Sequence, residues 1–142
     1  MIYEFCAENV TLLKKAMQAG ARRIELCDNL AVGGTTPSYG VTKAAVELAS
    51  DYDTTIMTMI RPRGGDFVYN DLEISIMLED IRLTAQAGSQ GVVFGALTAD
   101  KKLDKANLEK LIAASKGMEI VFHMAFDDLS DEEQLEAIDW LS

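Results

Sequence analysis

The chain has 142 residues, 49% of them apolar and 25% charged, with 13 basic against 23 acidic side chains for a net charge of −10. That size and composition fit one globular domain, and no apolar run approaches the about 18–20 residues of a membrane span. The acidic balance argues against a nucleic-acid backbone or an anionic membrane surface as partner.

Two cysteines, two prolines and ten glycines exclude a disulfide scaffold, collagen and a Pro-rich disordered chain. Met1–Cys6 lacks the basic start and apolar stretch of a secretory signal. The expected compartment is therefore the cytoplasm, where thiols stay free to pack, react or bind metal. Residues 1–70 carry 7 basic and 8 acidic side chains, whereas residues 71–142 carry 6 and 15. Much of the acidic excess lies between Asp127 and Asp139 and reads as a solvated helix face.

In chain order, short β-rich runs alternate with helical patterns. Ile2–Cys6 is a predicted strand, followed by a helix over Glu8–Gln18 with Val10, Leu13, Ala16 and Met17 inward. Arg22–Cys27 is a second strand. Asp28–Gly40, with Gly33, Gly34 and Pro37, is a loop. Val41–Ala49 is helical and Thr54–Ile60 a third strand. Arg61–Asn70 is a second long loop. Asp71–Ala87 is a helix presenting Ile74, Met77, Leu78 and Ile81 on one face. Gly91–Gly95, a helix over Asp104–Ser115, the strand Met118–His123 and a helix over Ser130–Leu141 complete the pattern. Ser130 with Glu133 has the spacing of a capping box. Gln-Ala-Gly recurs at 18–20 and 86–88, each time before a strand.

Five β/α units in strict alternation imply a parallel sheet with right-handed crossovers. Functional groups are then expected where chain leaves the C-terminal strand ends. By length alone, an open five-stranded doubly wound sheet fits better than a closed eight-stranded barrel of about 250 residues. No Gly-x-Gly-x-x-Gly turn follows the first strand, which weakens a dinucleotide site.

Each motif has a bland and a chemical reading. In Ile60-Arg61-Pro62-Arg63-Gly64-Gly65-Asp66-Phe67, Arg61 can reach over the strand ends toward a planar anion, or latch to Asp66 to shape the loop. In the loop Gly33–Gly40, the start of the next helix can receive an anion, or Ser38 or Thr36 simply caps it. Glu25 shares a strand face with Cys27, where a carboxylate needs a ligand or an ion-pair partner.

Cys6 and Cys27 end neighbouring strands, a spacing suited to a soft ion such as Cu(I), with Met57 and Met59 nearby. On spacing alone, buried free thiols and core-filling methionines are the commoner explanation of such residues. His123, the only histidine, ends the fifth strand. It is placed for acid–base work or ligation, with Asp127 available to orient it, or for a buried hydrogen-bonded role.

Taken together, Phe5-Cys6, Arg23-Ile24-Glu25-Leu26-Cys27, Gly33–Gly40, Ile60–Phe67 and Phe122-His123-Met124-Ala125-Phe126-Asp127 resemble the CutC copper-homeostasis family, from residue 2 to about 140. The resemblance implies a (β/α)8 TIM barrel of which residues 1–142 form a partial domain of about five β/α units. The later units, with the strand 7–8 region that holds phosphate in many barrels, are expected from a longer protein or another chain. The resemblance further implies a cytosolic, self-associating protein that handles Cu(I) on Cys6 and Cys27. The alternative it leaves is a barrel enzyme for a small anionic or sugar-like metabolite, with Glu25, Arg61, Asp66, His123 and Asp127 as candidate catalytic residues. Family members usually carry Arg after the histidine; here Met124 removes that cation.

Overall fold

Strands and helices alternate as expected in a computed structural model describing residues 1–142. In order, they are β1 (Glu4–Glu8), α1 (Leu13–Gln18), β2 (Arg23–Cys27), α2 (Tyr39–Ser50), β3 (Thr55–Met59), α3 (Asp71–Gln86), β4 (Gly91–Phe94), α4 (Lys105–Ala114), β5 (Glu119–Phe122) and α5 (Asp131–Leu141). Short 3-10 turns cover Leu30–Val32 and Met124–Asp128.

The sheet order is β1-β2-β3-β4-β5, every pair parallel. This order overturns the doubly wound alternative. A doubly wound sheet reverses direction at a switch point and sends helices to both faces. Here each strand lies beside its sequence predecessor, as in one sector of a barrel.

Alternation assigns the faces. Ala7, Ile24, Leu26 and Ile56 pack against Leu13, Ala16 and Met17 of α1 and Ala45 and Ala49 of α2. Val92 joins Ile74, Met77 and Ile81 of α3 and Leu108 and Leu111 of α4. The other face buries a smaller cluster of Cys27, Met57, Met59 and Val93, flanked by Leu30 and Val121. Burying one apolar face of each helix against the strands supplies the main stabilisation.

Helix ends follow local chemistry. Ser38 and Asn70 accept from backbone amides at the starts of α2 and α3, and Asn70 with Glu73 closes a full capping box. The box expected at α5 is half formed. Ser130 Oγ accepts from Glu133 N–H, but the Glu133 carboxylate pairs with Lys102 at 3.0 Å. In both Gln-Ala-Gly repeats the glycine has positive φ, 104° at Gly20 and 93° at Gly88. That conformation ends a helix without the penalty a Cβ would add.

Two expectations at the N-terminus shift. β1 runs on to Glu8, so Cys6 lies in mid-strand and not at its end. The ladder continues to Glu8 beside Cys27, and Asn9 then turns with φ 52° while its N–H donates to the Cys27 carbonyl. The first helix therefore starts only at Leu13.

At the N-terminal pole Arg23 pairs with Glu4 and lies 4.0 Å from Glu119, linking β1, β2 and β5 across the concave face. Gly91 lies beneath Met57 on the neighbouring strand. A Cβ at Gly91 would collide with the Met57 side chain and come 2.8 Å from the Glu119 carbonyl oxygen. We expect Gly91→Ala to cost about 1–3 kcal/mol, read as a lower urea midpoint with an unchanged slope.

Candidate functional site

The first cluster forms where β1 meets β2. Cys6 stands opposite Glu25, and Cys27 lies two residues further along β2. The sulfurs are 4.0 Å apart and Glu25 Oε1 is 3.8 Å from Cys27 Sγ. The ligand atoms of all three side chains fall within 4.8 Å of one another. Cys27 is fully buried, Glu25 half-buried and Cys6 exposed. Cys6 opens on a cleft of about 200 Å³ lined by Phe5, Glu8, Thr11, Leu12 and Leu30.

Electrostatics at this cluster favour protonated groups in the absence of a cation. Burial and the nearby Cys6 and Glu25 push the Cys27 thiol up. Burial and Glu25 raise Cys6, while burial and Glu4 raise Glu25. A cation would relieve all three repulsions at once. Met57 and Met59 are buried in the same small cluster as Cys27.

The second group occupies the strand ends. Arg61, Gly95 and His123 each lie two residues beyond the inward-facing Met59, Val93 and Val121 of β3, β4 and β5. Arg61 is 3% exposed. Its Nη1 donates to Val32 O at 2.7 Å and Gly34 O at 3.0 Å, and its Nη2 to Gly65 O at 2.8 Å. Its backbone N–H donates to Thr36 Oγ1 at 2.8 Å. The guanidinium thus holds the loop after β2 against the loop after β3.

The expected Arg61–Asp66 latch is not formed. Asp66 is exposed and pairs with Arg63 at 3.2 Å, and Arg63 also pairs with Glu73. The turn Pro62–Gly65 carries Asp66 away from Arg61 and toward its neighbour. Gly34, φ 94°, lies against Cys27, since a Cβ there would fall 3.0 Å from Cys27 Sγ. Arg61 therefore fixes the turn that covers the buried thiol. Ser38 caps α2, so the bland reading of that loop holds.

His123 leans over Gly95, where a Cβ would come 2.7 Å from its Cε1. Its ring centroid is 5.0 Å from that of Phe67, and the Arg61 Cζ is 5.0 Å from the same Phe67 ring. His123 Nδ1 accepts from Ala125 N–H at 3.1 Å. Asp127 does not orient the imidazole. It is exposed on the 3-10 turn, because the chain curls back at Ala125 and the backbone takes the place of the carboxylate. Burial, then the Arg61 charge, lowers the His123 pKa to about 4.

The five candidate catalytic residues do not assemble into one group. Glu25 belongs with the sulfurs, Asp66 and Asp127 are exposed, and Arg61 and His123 share the strand-end row. Sequence reasoning missed Tyr69, whose buried hydroxyl is pushed up to about 12 by burial against the lowering effect of Arg61. A lone tyrosine inside a glycine-rich loop gives no periodic signal that would mark it as buried.

Two predictions follow from this geometry. Strand spacing of about 4.8 Å and a two-residue offset of about 6.6 Å put the two cysteine Cα atoms about 8 Å apart. That exceeds the about 7 Å reach of a disulfide. Mild oxidant is expected to leave Cys6 and Cys27 unjoined, checked by mass spectrometry after thiol alkylation. For His123, the folded pKa lies below the unfolded value. The folded state then binds fewer protons between about pH 6.5 and 4, so this group's contribution falls as pH drops through that window. An NMR titration is expected to show the imidazole neutral down to about pH 4.

The CutC family profile matches residues 1–141. A CutC family protein of Enterococcus faecalis is 54% identical over 142 residues, all of this chain and 68% of that protein. One from Bacteroides thetaiotaomicron is 43% identical over 132 residues, 93% of this chain and 52% of its own length. A crystal structure of CutC from Streptococcus agalactiae superposes with a TM-score of 0.95 at 49% identity, covering 99% of this chain and 67% of that one. Deoxyribose phosphate aldolase from Aeropyrum pernix, at 16% identity and TM-score 0.53, shares the fold alone. The chain is thus a five-unit (β/α) portion relative to that crystal structure, and no helix in it is long and apolar enough to cross a membrane. The sequence, the barrel-sector fold and these matches agree that the chain belongs to the CutC family.

Proposed function

We propose that this protein is a copper-homeostasis protein of the cytoplasm that holds Cu(I) between Cys6 and Cys27. The observation that carries this reading is the pair of unbridged sulfurs 4.0 Å apart, one buried and one facing a cleft. Two thiolates suit a soft monovalent ion. Two collinear metal–sulfur bonds of about 2.3 Å would span about 4.6 Å. At the shorter separation observed, an ion held by both sulfurs leaves one side open for a third donor. Glu25 is the nearest oxygen ligand to Cys27. Cys6 provides the entry point and Cys27 the buried anchor. The ion displaces both thiol protons, so affinity falls as pH falls.

Self-association belongs to the same proposal, supported by the exposed apolar side chains of Met1, Ile2 and Tyr3. The enzyme alternative is less favoured, because the candidate acids and bases stand apart.

The test is a competitive titration against a Cu(I) chelator under anaerobic conditions. Cys27→Ser is expected to weaken binding at least about 100-fold, and Glu25→Gln by about tenfold, in line with losses seen at ligand and neighbouring positions. Equal affinity of wild type and Cys27→Ser would refute the proposal.

A further inference from the structure

Only three buried side-chain nitrogen or oxygen atoms in the chain lack a hydrogen-bond partner: Arg61 Nε, Tyr69 Oη and His123 Nε2. All three side chains are more than nine-tenths buried. They are not scattered. Arg61 and His123 both contact Phe67 at 5.0 Å, and the Tyr69 hydroxyl feels the Arg61 guanidinium directly. Buried polar atoms are paired in the great majority of native proteins. Three unpaired ones, two beside the Phe67 ring and the third beside Arg61, call for a shared explanation.

Their chemistry is uniform. Arg61 Nε is a donor with no acceptor capacity. His123 Nδ1 is already an acceptor, since the Ala125 N–H points at it. The neutral ring must then carry its proton on Nε2, which makes that atom a donor too. The Tyr69 hydroxyl is free to donate. Three donors and one fixed positive charge form a cradle for an oxygen-rich acceptor.

We propose that this strand-end row binds the oxyanion end of a small molecule, a phosphate or a carboxylate group. Arg61 donates from Nε while its terminal nitrogens keep hold of Val32, Gly34 and Gly65. His123 serves as a neutral donor, not as a base. The loops 28–37 and 61–70, which Arg61 holds through Val32, Gly34 and Gly65, belong to the connections between strand and α-helix, the part of a fold that opens at least cost. The enclosed setting favours a single small anionic group. This site is separate from the sulfur cluster, and either can fail without the other.

The test uses inorganic phosphate and, in a parallel arm, acetate. Binding is read from the His123 side-chain nitrogen resonances and from the melting temperature of wild type and Tyr69→Phe. The tautomer must first appear as Nε2–H. Tyr69→Phe removes an unpaired hydroxyl and is expected to leave the anion-free melt unchanged or slightly raised. The anion that fits should shift the His123 Nε2 signal and raise the wild-type melt with concentration. Tyr69→Phe should bind it about tenfold more weakly. A response to phosphate alone points to a phosphorylated ligand, and a response to acetate alone to a carboxylate. Absence of any shift with both anions overturns the proposal. So does an Nδ1–H tautomer, or weak binding that Tyr69→Phe leaves unchanged, which would mark an adventitious ion only.

Discussion

Helices cover this sheet on one side only, and everything distinctive follows from what the other side must do. Because successive side chains in a strand point opposite ways, one set of residues supplies a conventional apolar core. Ile24, Leu26, Ile56 and Val92 take that role. The remaining set includes Glu25, Cys27, Met57 and Met59, a group no ordinary helix-packing face would choose. The concave face is polar and charged near the N-terminal pole, sulfur-rich in the middle and donor-rich at the strand ends.

Arg61 ties these layers together. A guanidinium buried to this degree would be costly unless its hydrogens found acceptors. Three backbone carbonyls from two loops meet most of that need. In return the loops are held in one arrangement, and the Gly34 turn is pressed against Cys27. Gly34 and Gly64 are thus required by close approach to the Cys27 and Val32 side chains, and Gly65 by its positive φ of 88°.

Much of this was legible in the sequence because it rests on periodicity. The order of elements, the pairing of Glu25 with Cys27 on one face and the closeness of Cys6 all follow from alternation and sequential parallel strands. Element ends were less legible. Nothing local says that β1 continues to Glu8, since its ladder with β2 decides that. The partners of the charged loop residues were also hidden. Arg61 and Arg63 sit two apart in one motif, yet one is buried among carbonyls and the other reaches Asp66 and Glu73. Only the path of the loop distinguishes them. The orientation of His123 by a backbone amide and not by Asp127 depends on a single tight turn in the same way.

Carboxylates gather on the first and last strands of this sheet. β1 is five residues long and β5 four, and exposed carboxylates at Glu4, Glu8 and Glu119 flank them. Glu4 and Glu119 both approach Arg23, so one guanidinium bridges the two outermost strands and braces the curvature of the wall at that pole.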